Sequence, residues 1–293
     1  MQRIFIPGSN WLYIKIYTSP KTIDKILINA INKVLCELKN CNLYEKWFFI
    51  RYTDPDLHIR VRLLLRDELS LGKILHLFYK RLNPYIEDNQ IWKIQLDTYN
   101  RELERYSRRL IEETESIFYV DSESILTIIK KLNESKDENY RWMAALKMID
   151  AFLSDFSLDI NRKHQLMNQL SDSFKSEFGF NQHNAKQFNT KFRENKPIVE
   201  SVLNDTISDE GFLLISKLIK RRSKQFQPVV QQITDKLRQE KSDILTNLLI
   251  SYIHMTLNRL FRSKNRIHEL IIYDFMYRYY TSELAKIKYN NTK

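Results

Sequence analysis

The spacing of apolar positions changes character about a third of the way along the chain. From Asn10 to Thr18 the residues NWLYIKIYT alternate and predict a strand. Ser19-Pro20 interrupts it. Ile26, Ile28, Ile31, Val34, Leu35 and Leu38 then recur at helical spacing, predicting a helix over Ile23 to Leu38. Alternation returns over Lys46 to Tyr52 and His58 to Leu65, joined as a hairpin by a tight Thr53-Asp54-Pro55-Asp56 turn. In its second strand His58, Arg60 and Arg62 share one face, with Ile59, Val61 and Leu63 on the other. Leu69 to Leu82 reads as a second helix. Gln90 to Tyr99 reads as a fourth strand, with Trp92, Ile94 and Leu96 opposite Lys93, Gln95 and Asp97. The order β-α-β-β-α-β is that of a ferredoxin-like split βαβ unit, whose helices cover one sheet face.

From about Glu102 onward nearly every window has a helical period, strongest over 107–132, 139–156, 159–177, 183–203, 208–239, 242–262 and 265–288. Polar breaks fall at 133–138 and near Asn204-Asp205, and there is neither a fixed-period repeat nor a low-complexity tract. This half is too apolar for a solvated tail. It is expected to pack on the open sheet face, with a cleft between the layers. The expected fold is α+β: a βαββαβ ferredoxin-like sheet region, 1–101, packed against a larger all-helical region, 102–293.

Composition narrows the chemistry. The 293 residues are 43% hydrophobic and 28% charged, a folded globular balance. With 4 glycines and neither GxxxxGK[ST] nor GxGxxG, ATP and dinucleotide cofactors are not expected. Cys36 and Cys41 are not spaced as CxxC, and the six histidines form no HExxH or other ligand cluster, so no metal site is expected. No signal peptide and no run of 18 apolar residues occurs, which makes the cytoplasm the expected location, without membrane insertion. The net charge of +11 permits an acidic or nucleic-acid partner. It is dense at Lys217–Lys224 and at Arg259–Arg266, where solvated helix faces are the ordinary reading.

Three places carry candidate chemistry. The Arg60/Arg62 strand face suits an anionic ligand, because guanidinium groups grip carboxylates bidentately. Taken alone, an ordinary solvated sheet face is the commoner reading. The second is Tyr99–Tyr106, where a surface ion pair of Arg105 with Glu102 or Glu104 is the common outcome. The third is His254, which on a helix shares a face with Asn247, Ser251 and Asn258 among mostly apolar neighbours. Such a polar stripe needs partners or a wet cavity, and a hydrogen-bonded core histidine satisfies the same pattern.

At these places the chain resembles the C-terminal glutamate-elimination domain of class I lantibiotic dehydratases, the nisin dehydratase type. The matching segments are Gly8–Tyr13, Phe49–Pro55 with His58–Arg62, Glu104-Arg105-Tyr106, Glu115–Phe118 with Asp121-Ser122, and His254 with Asn258-Arg259-Leu260. The resemblance implies removal of glutamate from O-glutamyl Ser or Thr in a ribosomal precursor peptide, leaving dehydroalanine or dehydrobutyrine. A separate glutamylation protein, using glutamyl-tRNA, would supply the ester. The implied catalytic residues are Arg62, Arg105 and His254, the last as base or acid. Arg60, Arg51, Tyr52 and Asn258 are the implied substrate contacts, and a homodimer is a further candidate assembly. The family often has Gly-Gly after its Glu-Arg-Tyr segment, where this chain has Ser107-Arg108. The glutamylation portion is missing, so the chain is either a stand-alone eliminase of a split system, as in thiopeptide pathways, or an excised domain. Met1 points to the former.

Two other readings compete. A pyridine-forming cyclase of thiopeptide pathways shares this fold but has no glutamate to hold. An RNA-binding module has the same βαββαβ order, yet RRM recognition uses aromatics around a glycine-containing strand, and these strands contain no glycine.

Overall fold

The computed structural model describes residues 1–135, 137–238, 240 and 242–291. It forms two compact units, one of 1–131, 231–239 and 258–263, the other of 132–230, 240–257 and 264–293.

The first unit holds the sheet. Its main strands are β2 (Trp11–Thr18), β3 (Tyr44–Tyr52), β4 (His58–Leu65) and β5 (Ile91–Leu96), antiparallel in the order β3-β4-β2-β5. That is the ferredoxin-like arrangement. Between β2 and β3 the chain runs through α1 (Pro20–Ile26), one π turn at Leu27–Ile31 and α2 (Asn32–Asn40). Pro20 suits the start of α1, where an N–H would have no helical partner. Between β4 and β5 lies α3 (Leu71–Glu87). Ile23, Ile26, Val34, Leu38, Ile74, Phe78 and Leu82 from these helices are buried, as are Ile14, Ile16, Ile59, Val61 and Leu63 of the sheet.

The expected fourth strand stops earlier than its alternation suggested. The last bond to β2 runs from the Asp97 N–H to the Tyr13 carbonyl at 3.1 Å; the Asp97 carboxylate accepts from the Thr98 N–H at 2.7 Å and pairs with Lys15. Tyr99–Asn100 becomes β6 and pairs instead with β1 (Ile4–Phe5). A four-residue helix, α4 (Leu103–Tyr106), leads to α5 (Ile111–Ser135). Phe118 of α5 packs on Phe48 at 5.5 Å between centroids, on the arginine-bearing face of the sheet.

The second unit is helical: α6 (Asn139–Asp155), α7 (Ile160–Glu177), α8 (Gln182–Leu203), α9 (Glu210–Leu237), α10 (Ser242–Leu260) and α11 (Asn265–Asn291), the last part of α9 and the end of α10 belonging to the first unit. Buried residues of α11 include Leu270, Ile272, Tyr273, Phe275, Met276 and Tyr280, which surround its axis, as befits a central helix. Among the described residues no helix is long and apolar enough to cross a membrane, and no cluster of His, Cys, Asp or Glu is arranged to hold a metal ion.

Each of the two basic runs sets one buried arginine among exposed residues. In Arg259–Arg266, Arg259 is wholly buried and pairs with Asp121 at 3.0 Å, while Arg262, Ser263, Lys264 and Arg266 are exposed, Arg262 pairing with Asp24 at 2.5 Å and Arg266 with Glu177 and Glu269. In Lys217–Lys224, Arg222 is wholly buried while Lys217, Lys220, Arg221 and Lys224 are exposed.

Candidate active site

Alternation along β4 sends Arg60 and Arg62 to the face away from α1–α3. Register puts Arg62 opposite Tyr13 and Phe48, and Arg60 opposite Lys15 and Ile50. The Arg62 guanidinium carbon lies 4.5 Å from the Tyr13 ring centre, 4.7 Å from Tyr99 and 5.3 Å from Phe48. The residue is 8% exposed, has no carboxylate partner among the described residues, and its Nε makes no hydrogen bond. Aromatic faces attract a cation but do not neutralise it. Glu115, which accepts from the Tyr99 hydroxyl at 2.9 Å, is claimed by Arg101 through two 2.7 Å bonds. Burial raises the Tyr13 phenol against the opposing pull of Arg62, Arg60 and Lys15, keeping its proton available to donate.

Arg60 is held in a different way. Its guanidinium carbon lies 3.4 Å from the Tyr52 ring centre, and its Nε donates to His58 Nε2 at 3.0 Å. His58 is fully buried, with Nδ1 2.7 Å from the Asp56 carbonyl, so it is the neutral ring that orients Arg60. The outer edge of the guanidinium is left for an anion. Burial, then Arg60 and Lys15, push the His58 pKa below its ordinary value, against the backbone carbonyl of Asp56. A depressed folded value contributes stability that is complete above the unfolded pKa of about 6.5 and is lost as pH falls through the folded one. An NMR titration should place the His58 midpoint below 6.5. His58→Gln should remove this share of the acid sensitivity.

Arg51 and Asn258 are occupied elsewhere. Arg51 lies opposite Ile59 on the helix-covered side of the sheet, 2.7 Å from Asp24, and its Nε donates to the Arg259 carbonyl at 2.9 Å. Burial lowers its pKa, with Asp24 opposing. Asn258 reads the open edge of β3: its amide nitrogen donates to the Arg51 carbonyl at 2.8 Å, and its oxygen accepts from the Arg51 N–H at 2.9 Å. One step along, the Phe49 N–H donates to Ser122 Oγ and the Phe49 carbonyl accepts from Arg259 Nε at 2.7 Å. Asn258→Ala should therefore cost about 1–3 kcal/mol in denaturant unfolding, since two backbone groups lose their partner.

Arg105 sits on α4, 3.7 Å from Glu102 and 5.4 Å from the Tyr106 ring centre. Immediately after it Ser107 adopts φ 65°, a conformation that favours glycine. The residue that departs from the family pattern thus holds a glycine-like backbone.

In the second unit His254 Nδ1 lies 2.5 Å from Glu269 Oε1. Glu269 is fully buried and its other oxygen accepts from Arg266 Nη1 at 3.0 Å. The carboxylate fixes the Nδ1–H tautomer and leaves Nε2 as the working nitrogen of a partly exposed ring. Arg60, Arg62 and Tyr52 therefore share a face, Arg51 lies on the opposite one, and His254 belongs to its own pair. The pattern reading missed Tyr13, Tyr99 and Phe48 around Arg62, and Glu269. Strand pairing and helix packing assemble these contacts from distant positions, so no local spacing announces them.

Comparison with known proteins follows the same outline. The chain is 33% identical over 136 residues to the nisin biosynthesis protein NisB of Lactococcus lactis subsp. lactis, covering 44% of this chain and 13% of that one. It is 23% identical over 283 residues to the subtilin biosynthesis protein SpaB of Bacillus subtilis, covering 92% and 25%. It thus spans a quarter or less of the length of these relatives. The fold is similar to that of the tRNA-dependent lantibiotic dehydratase MibB from Microbispora sp. 107891, with a TM-score of 0.72 at 18% identity over 95% of this chain and 28% of that one. It is also similar to the pyridine synthase TbtD from thiomuracin biosynthesis, with a TM-score of 0.68 at 10% identity over 95% and 100%. The model of the lantibiotic biosynthesis dehydratase C-terminal family matches residues 11–280, and the chain belongs to that family.

Proposed function

We propose that the chain is a lyase that eliminates glutamate from O-glutamyl Ser or Thr of a ribosomal precursor peptide. The observation that carries this reading is Arg62, a buried guanidinium in an aromatic box with no carboxylate partner among the described residues. In the reaction a base removes the Cα proton, the Cα–Cβ double bond forms, the Cβ–O bond breaks and the electron pair leaves on the glutamate carboxylate. Arg62 stabilises that developing charge, and Arg60 offers a second carboxylate contact. His254 moves a proton at Nε2, with Glu269 fixing its orientation. Arg105 joins these roles on the strength of the family resemblance. Arg51 and Asn258 support the strand behind the site, and Tyr52 acts through Arg60. The ester would come from a glutamylation protein that uses glutamyl-tRNA.

The test is incubation with a glutamylated precursor peptide. Loss of one glutamic acid per modified residue, by mass spectrometry, is the expected result. An unchanged glutamylated peptide, together with macrocycle formation on a dehydrated peptide, would assign the chain to the pyridine-forming class instead. The RNA-binding reading loses its platform, because Phe49 is fully buried on the helix side of the sheet.

A further inference from the structure

Two buried arginines lie around one buried carboxylate, and only one of them holds it. Arg101, just after β6, donates from Nε to Glu115 Oε1 and from Nη2 to Oε2, each at 2.7 Å. The same Oε1 accepts from the Tyr99 hydroxyl at 2.9 Å. The Tyr99 ring also carries Arg62, whose guanidinium carbon lies 4.7 Å from its centre. A single tyrosine thus stands between Glu115 and Arg62. Burial, then Glu115, push its phenol far above the ordinary range, against the pull of Arg62 and Arg101. Both guanidinium groups and the carboxylate therefore act on one hydroxyl.

The small β1–β6 sheet fixes this arrangement. The Arg101 N–H donates to the Arg3 carbonyl at 3.0 Å, and its Nη1 donates to the Gln2 carbonyl at 3.1 Å. Phe5 of β1 lies 5.0 Å from the Arg101 guanidinium carbon and stacks on Tyr99 at 5.9 Å between centroids. With Nε, Nη1 and Nη2 all engaged, Arg101 is held on Glu115. A brace needs no charge here, since an apolar pair of similar volume would stabilise at least as well. The carboxylate has a use of its own, because it orients the Tyr99 ring against Arg62. So close to Arg62, it would also neutralise it unless another cation held it first.

We propose that Arg101 is a positioning residue that holds Glu115 off Arg62. The carboxylate can then orient Tyr99 while the Arg62 charge stays free for the substrate anion. The kinetic side of this rests on the eliminase reading. A purely structural role makes a different prediction. Arg101→Gln and Glu115→Gln break the same ion pair, and a brace would suffer alike from either. Charge partition separates them. Arg101→Gln leaves a buried carboxylate whose remaining cation across Tyr99 is Arg62. Glu115→Gln keeps an oxygen for the Tyr99 hydroxyl and leaves Arg62 as it was.

Elimination from the glutamylated precursor peptide should slow about 10²-fold in kcat for Arg101→Gln, the scale of losing the Arg62 donor itself. Glu115→Gln should keep most of the rate, and so should Arg101→Lys, which retains the charge without the fork. The double variant Arg101→Gln/Glu115→Gln should recover most of what Arg101→Gln loses. It buries no unpaired charge, so it remains decisive if Arg101→Gln does not fold. A folded double variant as slow as Arg62→Ala would overturn the proposal, as would equal losses in Glu115→Gln and Arg101→Gln. Nitrogen-15 NMR gives a readout without activity. The Arg62 Nε–H makes no hydrogen bond in the wild-type chain. Its signal, assigned by its loss in Arg62→Lys, should move downfield in Arg101→Gln and return in the double variant. An unmoved signal in folded Arg101→Gln would also overturn the proposal. A wild-type chain that eliminates nothing would sink the eliminase reading, while this signal still decides which arginine holds Glu115.

Discussion

Arg62→Ala should stop elimination and leave the glutamylated peptide to accumulate, with a loss in kcat of about 10²–10³-fold, the usual consequence of deleting a charge-stabilising donor. The reasoning is electrostatic. Tyr13, Tyr99 and Phe48 hold the guanidinium in a partly desolvated box, and Glu115, the acid closest by hydrogen bonding, is already paired with Arg101. Arg62 therefore has its full charge available for a substrate anion. The chain should fold at least as readily without it, because removing a buried cation that lacks a counter-charge relieves a desolvation cost. Arg62→Lys is the informative companion. It retains the charge but loses the planar fork, and should recover only part of the rate. Quantitative mass spectrometry of single turnovers checks both, and full activity in a folded Arg62→Ala protein would remove Arg62 from the mechanism.

Glu269→Gln should be nearly as damaging as His254→Ala, about 10²–10⁴-fold in kcat with a smaller change in KM. Arg266 donates to one oxygen of Glu269 and can only donate. In the glutamine variant it claims the amide oxygen, which turns the NH₂ toward His254 Nδ1. That ring must then accept at Nδ1 and carry its proton on Nε2, which closes Nε2 to an incoming proton. Nitrogen NMR of the imidazole reads the switch directly, with or without substrate. A Glu269→Gln protein that keeps the Nδ1–H form would dissociate Glu269 from the role given to it here.

Periodicity was a good guide wherever one force dominated. Alternation located β2, β3 and β4, and the helices of the second half lie close to the spans their apolar spacing predicts. It failed at Asp97, where the chain leaves β2 and Tyr99 goes on to pair with β1, and again at Trp92, Ile94 and Leu96. Those three residues read as a core face and are exposed. The site followed the same rule. Arg60 and Arg62 were legible as one strand face, because a period of two is local. Arg51 was expected beside Arg60 among the substrate contacts; it lies instead opposite Ile59, and its burial against Asp24 depends on α1. Glu269 was invisible, because its partner lies fifteen positions earlier on another helix.

The sealing of β3 by Ser122, Asn258 and Arg259 also sets a limit on growth. A sheet with two bare edges can add strands without end, as fibrils do. With the β3 edge closed, strands cannot be added to this sheet from both sides at once. Asn258 then guards solubility as well as strand geometry: its loss would give each chain a second adhesive margin, and turbidity on storage, rather than lost turnover, would be the first sign.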